Sequence, residues 1–375
     1  MKPIISVTEA REILALIPYQ IGYPPCDSAV MISLRGPNQR VGVMARVDGD
    51  EFVSPDARDV TAAIVDFLSR DEADRILVVL YYDGKSTPPW IDQVPVLLAE
   101  HEDAFMETTV WWVNGDHYRT ALVAPHGSGH VEWGTSIPIG DMTSTEVSAT
   151  MVMHGAVIKP HRNDLAQLPS LPPEVAQRRW RSGDRWRRDG RLDGLREQWR
   201  SESIDLWISV LDCVVARVMN DDQRLPVLTD RIWGRLGMSL SDRFVRDHVI
   251  GLLIERAVPE SAECIAQSDK DKLRTLMEVL IDVDYGSAPD GKMLDQLNAV
   301  LAEATASTRA KHQNEGISVL ALLAWWECGG AKARELVARV LKRNPDHRLS
   351  LLVSRMLDTG FAPGWVARSS QRAAS

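Results

Sequence analysis

Apolar positions in the first part of the chain switch repeatedly between helical and strand-like spacing. A capping-box pair, Ser6 and Glu9, precedes an apolar stripe and predicts a helix that ends near Gly22. Residues 29–34 and 41–47 are rich in alternating apolar side chains and flank a short polar turn. The pattern therefore predicts a helix followed by a β-hairpin.

The pattern then continues as helix, strand, helix and second hairpin. A helix is predicted over residues 54–70, and residues 75–83 form an apolar run typical of a strand covered on both faces. Residues 90–103 again have helical spacing, and Asn114-Gly115 is a strong signal for a tight hairpin turn. Strands separated by helices in this order indicate a mixed α/β sheet sandwiched by helices.

Strand-like alternation ends at the proline-rich segment 169–173, and helical spacing continues from there nearly to the end of the chain. We therefore predict a mixed α/β sandwich domain over residues 1–168 and an α-helical domain over residues 169–375. Within the second domain, residues 318–359 resemble one tetratricopeptide unit. Because an array needs about three such units for stability, an ordinary helical hairpin packed on a bundle is the alternative.

Composition and cysteine spacing narrow the class of protein. The 375 residues are 45% hydrophobic and 25% charged, as in globular proteins, with neither an apolar run long enough to span a bilayer nor a secretory signal. We therefore expect a cytoplasmic protein with no membrane partner. The scattered cysteines favour neither a disulfide framework nor a cysteine-rich zinc site. They are Cys26, Cys213, Cys264 and Cys328.

Charge is distributed unevenly along the chain. The net charge is −9, and residues 1–170 alone carry 12 basic and 23 acidic side chains, whereas the remainder is nearly balanced. This asymmetry supports a chain of two parts. An acidic first part makes nucleic acid an unfavourable partner for that part.

The segment Pro24–Ser28 joins the first helix to the first strand and contains three reactive or polar side chains. Cys26 or Ser28 would act as a nucleophile only beside a positioned base, while Asp27 and Ser28 are candidates for contacting a ligand. The alternative is a structural turn, because such side chains commonly hydrogen-bond nearby backbone groups and prolines stiffen the chain.

The loop that follows the predicted strand 75–83 is the second candidate ligand site. Ligands of open α/β sheets bind beyond the carboxyl ends of strands, where Tyr82, Asp83 and Lys85 would lie. An ordinary polar loop is the alternative. An enzyme hypothesis requires this loop and the Asp27-Ser28 turn to meet at one edge of the sheet and share a pocket with perturbed titratable groups.

His126 and His130 are weak candidates for a metal site, with His117 or Glu132 as a further ligand. Their spacing would place both imidazoles on one face of a helix, but the intervening glycines favour a solvated loop that does not preorganise ligands. No sequence pattern specific for a metal supports the site.

The segment 178–200 contains nine arginines, four acidic residues and three tryptophans. Arginine with aromatic residues can bind phosphates and stack on bases, whereas acids at near-helical intervals favour charge pairing on a solvated helix anchored by its tryptophans. A protein-binding groove is a further interpretation. The candidate partner-binding residues are Trp180, Arg185, Trp186, Arg187 and Arg188.

Several short motifs together resemble the actinobacterial family of unknown function DUF4192. They are the segments 16–36, 46–48, 80–83, 111–112, 320–325, 344–349 and 360–365. The resemblance implies an actinobacterial or actinophage origin and a cytoplasmic protein, and it brings no activity. It also implies cysteines after the second hairpin, where this chain has the segment 124–130 without cysteine.

The sequence favours a non-catalytic binding or regulatory protein in which the helical domain holds a protein partner or a second copy and the α/β domain senses a small ligand. Neither a phosphate-binding glycine loop nor a GxSxG elbow is present, and no cofactor is indicated. The alternative is a hydrolase or transferase acting on a small metabolite near Asp83. A weaker alternative is nucleic-acid binding through residues 178–200.

Overall fold

The computed structural model describes residues 9–36, 39–123, 131–192, 194–258, 278–282, 284 and 286–366. The chain divides into two compact units, Lys2–Pro160 and His161–Ser375. The first is built on a mixed sheet with helices and the second is helical, which confirms the predicted fold class. The division precedes the boundary predicted at residue 168, and Ser6 of the predicted capping box lies outside the described residues.

The α/β unit contains both predicted hairpins. Its elements are α1 (Ala10–Ile21), β1 (Ser28–Arg35), β2 (Arg40–Asp48), α2 (Ala57–Arg70), β3 (Arg75–Tyr81), α3 (Trp90–Ala99), β4 (Glu107–Asn114), β5 (His117–Val123), β6 (Val131–Trp133), β7 (Ile137–Pro138) and α4 (Glu146–Met153). The sequence pattern missed β6 and β7, which are too short to show alternation. Helix α1 continues through Pro18, and Gly22 follows its last residue as the C-cap. With a φ of 88°, Gly22 donates its N–H to the Pro18 carbonyl oxygen.

The strands lie in the order β2-β1-β3-β4-β5-β6, and β7 pairs with β5. Strands β3 and β4 are parallel and are connected by α3, while β1 pairs antiparallel with both β2 and β3. Because β1 and β3 run in opposite directions, the start of β1 lies beside the end of β3. This topology determines which loops share an edge of the sheet.

Each face of the sheet packs against a different set of helices. On one face Val78 lies in a core completed by Leu68 of α2 and Ile91 of α3. On the other face Val79 packs with Leu14 of α1. Burial on both faces explains why β3 is an unbroken apolar run rather than an alternating strand.

A buried carboxylate ties the first hairpin to the end of α2. Asp71 is 7% exposed, and its Oδ2 atom accepts hydrogen bonds from the Ser33 hydroxyl at 2.5 Å and the Val43 N–H at 3.0 Å. Arg35 Nε lies 3.4 Å from the same oxygen. A Cβ atom at Gly42 would lie 2.1 Å from it, so only glycine fits at that position.

The helical unit contains helices connected by short loops. They are α5 (Pro173–Asp189), α6 (Arg196–Met219), α7 (Asp230–Ser239), α8 (Arg243–Ala257), α9 (Gly291–Ala306), α10 (Asn314–Trp326), α11 (Gly330–Leu341) and α12 (Arg348–Asp358). A single apolar core joins these helices. The arginine-rich segment 178–200 is divided between α5 and α6, with a turn between them, rather than forming one helix.

Helix α7 packs very closely on its neighbours at two glycines. A Cβ atom at Gly234 would lie 2.1 Å from the carbonyl oxygen of Arg179 in α5, and one at Gly237 would lie 1.9 Å from that of Ala304 in α9. Gly183 of α5 faces Gly234 at the first crossing. The absent side chains allow the helix backbones to approach each other directly.

Two buried arginines connect helices within this unit. Arg246 bonds Asp247 at 2.5 Å and Glu315 of α10 at 2.5 Å, and His347 Nε2 lies 3.3 Å from the same Glu315 carboxylate. Burial by itself raises the pKa of Glu315, but hydrogen bonds from His347 and Arg246 outweigh it, so the pKa lies below its usual value. The second, Arg179, bonds residues of α7 and α9.

Among the described residues, no helix is both long enough and apolar enough to cross a bilayer.

Candidate functional site

The structure brings the Asp27-Ser28 turn and the loop after β3 together at one end of the sheet. Ser28, the first residue of β1, is paired with Tyr81, the last residue of β3. Tyr81 is in turn paired with Val113 near the end of β4. The turn and the loop therefore meet at one edge of the sheet, as the enzyme hypothesis requires. The residues there are Asp27, Ser28, Tyr82 and Asp83. A shared pocket at this edge stays a prediction.

The Asp27-Ser28 turn is held mainly by backbone contacts. Asp27 has a φ of 44°, and its carbonyl oxygen accepts a hydrogen bond of 2.9 Å from the Gly49 N–H. Arg46 Nη2 donates to the Cys26 carbonyl oxygen at 3.2 Å and its Nη1 lies 2.5 Å from Asp48. The side chains of Cys26 and Asp27 are exposed, so the turn owes its shape to the backbone rather than to these side chains.

Two hydroxyl groups are buried without a hydrogen-bond partner at this end of the sheet. Ser28 is fully buried, and its Oγ atom has no hydrogen-bond partner among the described residues. The Tyr81 hydroxyl oxygen is also buried and has no partner among these residues. Residues directly opposite in an antiparallel pair project to the same face of the sheet. Burial raises the pKa of Tyr81 far above its ordinary value, so this hydroxyl stays protonated and can only donate or accept a hydrogen bond.

The remaining candidate side chains of this edge lie elsewhere. Tyr82 packs edge-to-face on Trp90, with ring centroids 6.3 Å apart, and so belongs to the opposite face from Tyr81. Asp83 and Lys85 are exposed. The Asp83 carboxylate lies beside Gly115, where a Cβ atom would be 3.5 Å from Oδ1. The edge thus offers buried hydroxyls on one face and an exposed carboxylate above the hairpin turn.

The candidate metal ligands His126 and His130 lie outside the described residues. His117 Nδ1 is 2.6 Å from Asp116 Oδ1, an exposed pair at the second hairpin. In the part of the chain that the structure describes, no three histidine, cysteine or acidic side chains are grouped to hold a metal ion.

The tryptophans of the arginine-rich segment are largely internal. Trp186 and Trp199 are each 6% exposed and belong to the helical core. Trp186 donates to the Ser203 hydroxyl at 3.1 Å, and Trp199 donates to the Trp186 carbonyl oxygen at 2.7 Å. Trp180 is partly buried beneath the guanidinium of Arg309. The structure thus places the Trp186 side chain in the core, where it cannot contact a partner.

Apart from Arg187, the arginines of α5 fall into two groups. Arg178 and Arg179 both bond Asp230 of α7. The other group is Arg181, Arg185 and Arg188, which are exposed and make no ion pair with a described residue. Positions separated by four and seven residues share one face of a helix. We call these three side chains the α5 basic face.

Acidic neighbours do not neutralise the α5 basic face. Asp184, which lies within one turn of each of the three arginines, points to Arg309 Nε at 3.4 Å. Glu197 pairs with Arg200 within α6 at 3.0 Å. Glu197 thus forms the local pair that the sequence suggested, whereas Asp184 pairs with another element, and the α5 basic face has no ion pair with a described residue.

A groove of about 720 Å³ lies next to the end of α5. Its volume is within the range of small-molecule sites, roughly 300–1,000 Å³. We call it the basic groove, because three arginines and one histidine line it. The lining residues are Arg187, Gly190, Arg191, Leu192, Gly194, Arg196, Trp199, Ser241, Asp242 and His312. A smaller concavity of about 510 Å³ contains Trp180, Pro173 and Arg339.

Positive charge dominates the electrostatics of the basic groove. Burial, followed by the charges of Arg187, Lys311 and Arg191, lowers the pKa of His312 below its ordinary value. Burial alone raises the pKa of Asp242, but its hydrogen bonds from arginines outweigh that effect and lower it. Sequence reasoning found Arg187 and missed His312, because nothing in the sequence relates a histidine in the 310–312 turn to α5.

One family model matches nearly the whole chain, over residues 11–364, and its description is "Domain of unknown function (DUF4192)". None of the curated proteins and none of the solved structures matches the chain.

Proposed function

The chain belongs to the DUF4192 family, whose description assigns no activity, and we propose that it is a non-catalytic cytoplasmic binding protein that holds an acidic protein partner on its helical unit. The observation that carries the proposal is the α5 basic face, three exposed arginines on one side of a helix that make no ion pair with a described residue. Unpaired exposed charges of one sign steer and select partners of opposite charge.

The dimensions of the α5 basic face favour a protein partner over nucleic acid. Its arginines span seven residues, a distance of about 10 Å along a helix. This length matches a short acidic helix or loop, whereas a track along a nucleic-acid backbone would need a longer basic surface with exposed aromatic rings. Trp186 and Trp199 are buried, so they offer no stacking platform for bases. We include the α10–α11 hairpin, as a single tetratricopeptide-like unit, in the proposed interaction region.

Charge reversal of the α5 basic face should abolish partner capture. We expect the immobilised full-length protein to retain an acidic protein from a nuclease-treated lysate of its source organism. The triple variant R181E/R185E/R188E should retain it at least roughly tenfold less, because like charges then face each other across the interface. Quantitative mass spectrometry of the eluates measures the difference.

The matched control is the triple variant R224E/R243E/K292E, which makes the same charge change at exposed positions of the same unit outside the proposed interaction region. It should capture the partner as well as the unmodified chain does. The proposal is wrong if both triple variants lose capture equally, or if native mass spectrometry returns only the free monomer. Retention that disappears with nuclease treatment would instead support nucleic-acid binding.

A hydrolase or transferase acting on a small metabolite is the second candidate. One observation favours it, the pairing of Ser28 with Tyr81, which brings two unpartnered buried hydroxyls to the edge beside Asp83. Buried polar groups without partners commonly mark unoccupied sites for water or ligand. The geometry supplies no general base at Ser28 among the described hydrogen bonds, so we rank this candidate second.

Removal of the Tyr81 hydroxyl tests the second candidate. If a small molecule occupies this edge, native mass spectrometry of the purified chain should show it, and the Tyr81→Phe variant should lose it while its melting temperature stays unchanged or rises. The melting temperature is not expected to fall, because the lost hydroxyl has no partner. Equal small-molecule content in both proteins, or none in either, would argue against an occupied site.

A further inference from the structure

The basic groove contains hydrogen-bond donors that the protein itself does not use. Arg187 Nε and His312 Nε2 are both buried from solvent and have no hydrogen-bond partner among the described residues. They come from different elements, the last turn of α5 and the short helix Ala310–His312, and both line the groove. Neither side chain is therefore held by a described acceptor, and because Nε and Nε2 themselves are covered, an acceptor in the groove would be reached by the Nη atoms of Arg187.

The one described carboxylate in the wall cannot be that acceptor, because its oxygens are already occupied. Asp242 accepts hydrogen bonds from Arg200 at 3.0–3.2 Å and from Arg196 at 3.2 Å. It also accepts from the N–H groups of Phe244 and Val245 at the start of α8. Asp242 and Glu197 together balance the charges of Arg196 and Arg200, so the Asp242 carboxylate is not available to the other arginines of the groove.

Arg187 and Arg191 line the groove and make no ion pair with a described residue, so both guanidinium groups are available to an anion. The ring of Trp199 forms an apolar part of the wall: its Nε1 is bonded to a backbone carbonyl, and its face lies against Gly190. An occupant that fits this wall is small, has a compact anionic group, and offers acceptors in several directions.

We propose that the basic groove binds the phosphoryl group of a small phosphorylated molecule, with the guanidinium groups of Arg187 and Arg191 donating to its oxygens and His312 forming part of the wall. A phosphoryl group supplies three oxygens to donors that approach from different elements, whereas a carboxylate supplies two in one plane and a single charge. The proposal goes beyond the protein partner on the α5 basic face, since it uses a different set of side chains.

Isothermal titration of the full-length chain with pyrophosphate and with inorganic phosphate tests the site. We expect saturable binding with one site per chain for pyrophosphate, and weaker binding for phosphate. Arg187→Met should weaken pyrophosphate binding at least about tenfold, because it removes a charge-assisted donor and keeps the aliphatic stem. His312→Gln should weaken it by a smaller factor, and it serves as the second variant if Arg187→Met melts at a lower temperature.

The matched controls are Arg224→Met and Arg231→Met, the same change at exposed positions of the same unit outside the groove. Both should bind pyrophosphate as the unmodified chain does. Succinate at equal ionic strength should bind much more weakly than pyrophosphate. The proposal is overturned if neither phosphate probe binds saturably, if the controls lose affinity as strongly as Arg187→Met, or if succinate binds as tightly as pyrophosphate.

Discussion

Replacement of Arg179 by methionine should lower the free energy of unfolding by about 3–5 kcal/mol, the range typical of breaking a buried ion pair from one side. The Arg179 side chain is 10% exposed, and it bonds Asp230 at 3.0 Å, Glu303 at 2.5 Å and the Ser307 hydroxyl at 3.0 Å. Its guanidinium also lies 5.5 Å from the ring centroid of Trp233. Methionine fills a similar volume but removes the cation from the partly buried Glu303 carboxylate and leaves Asp230 to the exposed Arg178.

The neighbouring Arg178→Met is the control, because Arg178 bonds the same Asp230 carboxylate at 2.6 Å but is 56% exposed. Its loss should cost no more than about 1 kcal/mol, since exposed ion pairs are screened and poorly fixed. Urea unfolding followed by circular dichroism at 222 nm measures both variants. Equal losses of unfolding free energy in the two variants would show that burial of the ion pairs between α5, α7 and α9 does not determine how much they stabilise the chain.

Replacement of Gly234 by alanine should destabilise the chain by about 3 kcal/mol, at the upper end for inserting one methyl group into a packed interior. The new Cβ atom would lie 2.1 Å from the carbonyl oxygen of Arg179, and backbone cannot rotate away as a flexible side chain can. Helices α5 and α7 would have to separate, which would also lengthen the hydrogen bond from Arg179 to Asp230.

Gly291→Ala provides the control for this substitution. Gly291 is the first residue of α9, and no other atom lies within 4 Å of the position its Cβ would occupy. Alanine there should be neutral or stabilising by up to about 1 kcal/mol, because it reduces the freedom of the unfolded chain. Thermal unfolding by circular dichroism compares the two variants. A drop of similar size in both would contradict the close-packing explanation.

The sequence predicted the α/β unit well where a local pattern has a single structural solution. The apolar run of β3 requires cover on both faces, and Asn114-Gly115 marked the second hairpin, so these elements could be located without a structure. The two turn residues are Gly115 and Asp116, because Asn114 pairs with His117. The pattern was insufficient for the short strands β6 and β7, where two or three residues are too few to show a period.

The candidate sites were less predictable because they depend on which segments come together. Asp27-Ser28 and Asp83 were each visible as polar loops, but only the antiparallel pairing of β1 with β3 brings them to one edge. The acids of the segment 178–200 suggested pairing within one helix, whereas Asp184 bonds Arg309, more than a hundred residues away. That single long-range pair helps leave the α5 basic face unneutralised.

The sequence by itself determined the order of helices and strands and the change from an α/β to a helical unit, because periodicity and turn residues act over a few neighbouring positions. Only the tertiary structure decided that Trp186 is internal, that Arg179 is buried while Arg178 is exposed, and that Arg187 and His312 line one groove. Burial, hydrogen bonding and charge pairing depend on atoms within about 4 Å, and those atoms come from distant parts of the chain.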